Sequence, residues 1–350
     1  MPERLDPPWP SGTATGVGSL PGTDVRAALG LVLDCVPDLP FLPELPARGP
    51  GAEMTGRALA LVPDIAAAWG PSGWAVADTR GRDLRRAESY LDEDLDVAQE
   101  MLQGYEGLLK AQLCGPWTLA GTLELRNGRR ALADPGAVRD IGQALAEAAA
   151  AHVADVAKRV PGARVLLQVD EPLLPAVLYG ELRSPSGMAT IAAVDEPVVE
   201  QALAATVSAC AAAGGVAVAH LCVAAPPVPL LTRAGFAALS LDATLLTSAD
   251  DDAVAEAVEA GVALLLGLVP TTSPPPAGPD AAHEVAAPAR ALWRRTGLVS
   301  DLLGTVAVTP TCGLASSGQD AAGTALRLCR AAARTLVDDP EELAMDDQRG

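Results

Sequence analysis

Aromatic side chains are scarce in this chain: two Phe, three Tyr and five Trp make up only 3% of 350 residues. The core must therefore be assembled from Ala, Val and Leu, which a hydrophobic content of 49% readily provides. Cysteine is sparse as well. Six in a chain of this length are far too few for a disulfide scaffold, and in a reducing compartment they are free thiols or metal ligands. Basic residues are outnumbered, 25 Lys and Arg against 44 Asp and Glu, giving a formal net charge of −19. Such a surface repels nucleic acid and anionic membranes, so neither is expected as a partner. The most apolar stretch, 261–269, is too short to cross a bilayer, and the Pro-rich, charged N-terminus lacks the apolar run of a signal peptide. The cytoplasm is the expected location.

Short apolar runs alternate with longer amphipathic or Ala-rich segments, the pattern of β/α units around a parallel sheet. Strands are expected at 14–18, 40–43, 111–114, 165–169, 216–219, 238–241, 263–268 and 305–308. Helices are expected at 24–33, 53–68, 84–109, 135–159, 196–213, 249–259, 281–295 and 318–336. Eight strands with intervening helices point to an α/β fold of the (β/α)8 TIM barrel type, in one domain. Residues 1–12 read as an extended arm, 13–337 as the barrel and 338–350 as an acidic tail. The Pro-rich segment 271–280 reads as a rigid loop.

In such a barrel all strand C-termini open onto one face, so residues distant in sequence meet there. Gly18-Ser19, Glu44, Asp170-Glu171, His220, Cys222, Asp242 and Cys312 each follow an expected strand. His220 and Cys222 alternate along an extended segment and can point to the same side. With Cys312 they make one imidazole and two thiolates, a three-ligand set suited to Zn2+ that leaves a position for substrate. Asp242 could add an oxygen ligand, or simply open the following loop. One acid of the Asp170-Glu171-Pro172 run could hold a substrate ammonium group, or the pair could be structural; as neighbours in an extended segment they point to opposite sides. Gly18-Ser19 lies in a Gly-rich stretch without the spacing of a dinucleotide loop, and its backbone N–H groups could hold a carboxylate. Cys35, Cys210 and Cys329 fall in helical apolar patterns where packing is expected, Cys114 stays ambiguous, and His152 and His283 read as packing or surface residues.

In order along the chain, Gly18-Ser19-Leu20-Pro21, Gln168-Val169-Asp170-Glu171-Pro172, His220-Leu221-Cys222 and Pro310-Thr311-Cys312-Gly313-Leu314 resemble the motifs of the catalytic barrel of cobalamin-independent methionine synthases. The resemblance spans about residues 13 to 337. It implies a zinc-dependent S-methyltransferase that moves a methyl group to the thiol of homocysteine, giving methionine. It also implies metal ligation by His220, Cys222 and Cys312, with Asp242 where the family carries Glu. Asp170 and Glu44 correspond to acids that contact the amino-acid substrate, and Gly18 and Ser19 to the backbone that holds its carboxylate.

The methyl donor is read less directly. Full-length folate-dependent members resemble this chain only in their second half. They carry a His in the loop after the seventh strand, where this chain reads Gly267-Leu268-Val269-Pro270-Thr271-Thr272. The donor is thus either methyltetrahydrofolate or a methyl-corrinoid protein, and the short relatives that use the latter fit these absences better. Two other readings stand beside this one: a zinc enzyme that methylates a different thiol, and a non-catalytic barrel that binds zinc or homocysteine. Uroporphyrinogen decarboxylase shares the barrel, but needs basic groups for its propionates and no metal.

Overall fold

The computed structural model describes residues 7–340. Six parallel strands follow one another in chain order: β3 Gly107–Cys114, β4 Ala163–Asp170, β5 Val216–Leu221, β6 Ala238–Asp242, β7 Ala263–Val269 and β8 Ala307–Pro310. Their near-continuous Val, Leu and Ala content suits strands covered on both faces, and helices fill each crossover. The earlier strands β1 Ala67–Gly70 and β2 Gly73–Val76 form a separate antiparallel hairpin.

Two further segments span the gap between β8 and β3. Thr15 N donates to Val308 O at 3.0 Å and Val308 N to Thr13 O at 3.0 Å; Leu20 N donates to Glu44 O at 2.9 Å; Leu42 N donates to Lys110 O and Lys110 N to Pro40 O, both at 2.9 Å. These parallel bridges at Ala14, Ser19 and Phe41 replace the regular strands expected at 14–18 and 40–43. The reason is local: Pro40 and Pro43 have no N–H to donate, and Gly16 admits the Phe41 ring where a Cβ would lie 2.4 Å from it.

Side chains alternate along these strands, so those pointing inward form layers. The lowest layer is apolar, with Leu108, Leu166, Val218, Ala238, Leu265 and Ala307 packed with Leu39 and Trp9. Trp9, within the expected N-terminal arm, is thus part of the core, and its Nε1 donates to Thr305 O at 2.9 Å. The same inward alternation then brings Lys110, Gln168, His220, Ser240 and Thr309 above that layer, all buried. The interior turns polar toward the strand C-termini.

The helix expected at 135–159 is Pro135–Arg159, started by Asp134, whose carboxylate accepts from Gly136 N and Ala137 N, with Pro135 in the first turn. Two expected helices are too long. The one at 53–68 stops at Leu61, before Pro63, and gives way to the hairpin; the one at 84–109 stops at Met101, and Gly104, at φ +77°, turns the chain into β3. Among the described residues no helix is long and apolar enough to cross a membrane. Residues 1–6 of the expected arm and 341–350 of the expected tail lie outside the described residues.

Candidate active site

The C-terminal ends of β4, β5, β6 and β8 bring together Asp170, His220, Cys222, Asp242 and Cys312, with Gly18, Ser19 and Glu44 beside them on the two bridging segments. Asp170 faces His220 across β4 and β5, and His220 faces Ser240 across β5 and β6.

His220 is 5% exposed. Its Nδ1 shares a hydrogen bond with Ser240 Oγ at 2.9 Å, whereas Nε2 is buried without a partner among the described residues. A buried imidazole nitrogen left unpaired is costly unless something meets it. Nearby, Cys222 Sγ and Cys312 Sγ lie 2.8 Å apart. The hydrogen bond from Cys222, and after it His220, pull the Cys312 thiol well below the ordinary thiol range, while the same bond pushes Cys222 up. No group of three or more His, Cys, Asp or Glu side chains among the described residues already has the arrangement of a metal shell. The donor chemistry nonetheless fits a soft divalent ion, because one orphaned imidazole nitrogen and two adjoining sulfurs are the ligands such an ion takes.

Asp242 opens an Asx turn: its Oδ1 accepts from Thr244 N at 2.9 Å and from Thr244 Oγ1 at 2.6 Å. Burial raises its carboxyl against these bonds. Asp170 and Glu171 do point apart. Asp170 Oδ1 accepts from Gln168 Nε2 at 2.7 Å, and burial pushes its carboxyl well above the usual carboxylate range against the pull of His220 and Lys110. Glu171 turns outward and accepts from Trp117 N, Thr118 N and Thr118 Oγ1 at 2.9, 2.8 and 2.7 Å, binding the start of the helix Pro116–Thr122, which follows β3, to the end of β4. Gly115 makes room for it, since a Cβ there would lie 2.3 Å from Glu171 Oε1.

Glu44 is 7% exposed and accepts from Arg57 Nε at 3.1 Å. Arg57 Nη1 also reaches Asp94 Oδ2 at 2.5 Å, and Arg48 meets Asp94 from the other side at 2.8 Å. Burial raises the Glu44 carboxyl against the pull of Arg57 and Lys110. The N–H groups of Gly18 and Ser19 donate no backbone hydrogen bond among the described residues. Ser19 instead touches the Cys312 loop: its carbonyl accepts from Leu314 N at 2.9 Å, and a Cβ on Gly313 would lie 2.1 Å from Ser19 Oγ. Any larger residue next to Cys312 would have to turn that hydroxyl away.

Sequence reasoning missed Ser240, Arg57 and Lys110. Lys110 left the clearest trace, a cation within the otherwise apolar run Leu108-Leu109-Lys110-Ala111. His152 is buried, as a packing role predicts, and burial lowers it to about 4. A groove of about 1360 Å³ between the helices Pro135–Arg159 and Glu196–Ala212 contains none of these site residues.

No curated protein matches the chain by sequence. Among solved structures, a B12-independent methionine synthase from Shewanella sp. W3-18-1, in complex with selenomethionine, is similar at 12% identity and a TM-score of 0.60, over 94% of this chain and 98% of its own. A GH5_18 protein from Streptomyces cattleya in complex with GlcNAc is similar at 17% identity and a TM-score of 0.46, over 93% of this chain and 81% of its own. The catalytic domain of the cobalamin-independent synthases matches residues 98–335, from before β3 to the last helix, and so takes in the ends of β4, β5, β6 and β8. The chain belongs to the cobalamin-independent methionine synthase family and is an S-methyltransferase of that kind.

Proposed function

We propose that this site transfers a methyl group to the thiol of homocysteine, giving methionine. The observation that carries the reading is the unpartnered Nε2 of His220 beside the paired sulfurs of Cys222 and Cys312, in a chain of this family. On this reading His220 Nε2, Cys222 and Cys312 hold Zn2+, with Asp242 as a resting oxygen ligand through Oδ2 while Thr244 keeps Oδ1. Bound there, zinc supplies the charge that keeps the substrate thiol deprotonated and nucleophilic at neutral pH.

The rest is the work of this chain. Asp170 and Glu44 face the substrate's ammonium group, and the N–H groups of Gly18 and Ser19 hold its carboxylate. Gripping both ends of the amino acid fixes where its sulfur lies, the positional part of the rate enhancement. Ser240 holds the His220 ring so that Nε2 points inward. The architecture that goes with this reading is an eight-stranded barrel over 13–337, with the bridging segments at 13–20 and 40–45 as its first two strands.

Methyltetrahydropteroylglutamate is the donor that family membership favours. The similar Shewanella protein is described as B12-independent and is matched over 98% of its chain, so a short chain does not by itself demand a corrinoid donor. The test is methionine formation by the zinc-loaded protein from homocysteine, with methyltetrahydropteroyltriglutamate or methylcobalamin offered separately. Methionine from either donor supports thiol methylation and identifies the donor. None from both contradicts it.

A further inference from the structure

We propose that Lys110 is the positioning residue of the amino-acid pocket, one ammonium group that fixes all three elements assigned to substrate recognition. The inference rests on the homocysteine reading and deepens it. Lys110 is fully buried on β3 and points into the sheet interior beneath the site. A lysine taken so far from water needs oxygen partners for its three protons. It has them. Nζ donates to Val17 O and to Gln168 Oε1, both at 2.8 Å. Gln112, with its amide turned so that both ends are satisfied, accepts from Nζ at 2.8 Å and donates to Leu42 O at 2.9 Å.

Each partner leads to one recognition element. Val17 O belongs to the peptide that enters Gly18, whose N–H with that of Ser19 is assigned to the substrate carboxylate. Gln168 accepts from Lys110 through Oε1, which fixes its amide so that Nε2 donates to Asp170 Oδ1 at 2.7 Å and to Val17 O at 2.8 Å. An amide able to flip would present an oxygen to that carboxylate instead. Gln112 reaches Leu42 O, two residues before Glu44. Gly18-Ser19, Glu44 and Asp170 come from three separate stretches of chain, and Lys110 holds them to a common point. With its protons committed to protein oxygens, Lys110 acts on the ligand only through these partners.

A side chain that merely stabilises the interior would, when removed, weaken every ligand alike. One that sets the amino-acid pocket should affect recognition of the amino and carboxylate groups but not of the thiol. The experiment titrates zinc-loaded wild type and Lys110→Met with four thiols: homocysteine, 4-mercaptobutyrate, which lacks the amino group, 3-mercaptopropylamine, which lacks the carboxylate, and 2-mercaptoethanol. In wild type homocysteine should bind tightest. In Lys110→Met the preference for homocysteine over both truncated analogues should fall by about tenfold, as expected when a charge-assisted hydrogen bond is lost, with 2-mercaptoethanol affinity and zinc content unchanged.

Equal losses for all four thiols, or an unchanged preference, would overturn the proposal. A wild type that does not favour homocysteine over 2-mercaptoethanol would instead overturn the homocysteine reading. Gln168→Leu decides the matter should Lys110→Met fail to fold. It removes the hydrogen bond to Asp170 outright but only one of the two to Val17 O, where the Lys110 bond remains, so the preference over 4-mercaptobutyrate should fall more than that over 3-mercaptopropylamine; loss of neither would overturn the proposal.

Discussion

Ser240 Oγ lies 2.9 Å from Nδ1 of His220, and the two residues face each other in register across β5 and β6. Both are buried, and this bond occupies Nδ1, so Ser240 sets Nε2 as the nitrogen left for a metal. Partners of this kind that orient a metal-binding imidazole typically account for about 10–100-fold in metal affinity. Ser240→Ala should therefore weaken zinc binding by about that factor, measured by competition with a chromophoric chelator. Unchanged affinity would remove His220 from the metal shell or leave its ring oriented by other contacts.

The ion-pair network around Arg57 should be a stability element as much as a site element. Arg57 is buried between Glu44 and Asp94, so replacing it leaves Glu44 in the interior without a guanidinium and Asp94 with Arg48 alone. Breaking a buried pair by removing one partner costs about 3–5 kcal/mol. Arg57→Met should lower unfolding stability in urea by about that much. A loss below about 1 kcal/mol would mean that Arg48, which already touches Asp94, and solvent replace it.

His152 predicts a pH dependence of folding. Burial, aided by Arg57, holds its imidazole near 4, below the ordinary 6.5. The sign follows from linkage: the unfolded chain takes up the proton first as pH falls, so this stability is present above pH 6.5 and is lost progressively toward pH 4. The difference amounts to roughly 3 kcal/mol. Urea unfolding at pH 7, 5.5 and 4.5 should show wild type losing about 2 kcal/mol more than His152→Leu over the range, most of the full difference. Parallel losses would show the imidazole is not held neutral.

Much of this site was legible in the sequence because its chemistry is carried by residue types that are rare here and fall just past apolar runs. His220, Cys222 and Cys312 are the clearest case, with three His and six Cys in the whole chain. Asp242 was legible as a place but not as a geometry, since only the structure shows Thr244 engaging one of its oxygens. The supports were harder to see. Ser240 is an unremarkable serine in an apolar strand until β5 and β6 are placed in register, and Arg57 carries no signal along the sequence because its buried partner Asp94 comes from the following helix. The helix expected at 53–68 runs past its end at Leu61 and into the first two residues of β1, because that Ala-rich stretch resembles a helix. Pro63 is the signal against that extension, and Pro71-Ser72-Gly73, with Gly73 at φ +106°, marks the turn of the hairpin itself. The bridging segments escape a strand-counting argument for a different reason: prolines and glycines interrupt the ladder while leaving isolated bridges intact.

The most direct test of the account is the metal content of protein purified without chelator or metal-affinity resin, comparing wild type with Cys312→Ala. The account predicts one equivalent of zinc in wild type and its loss in the variant, because that substitution removes one of two sulfurs now 2.8 Å apart. Wild type that takes up no zinc even after reconstitution, or a variant that keeps a full equivalent, would contradict a thiol-activating metal centre at His220, Cys222 and Cys312.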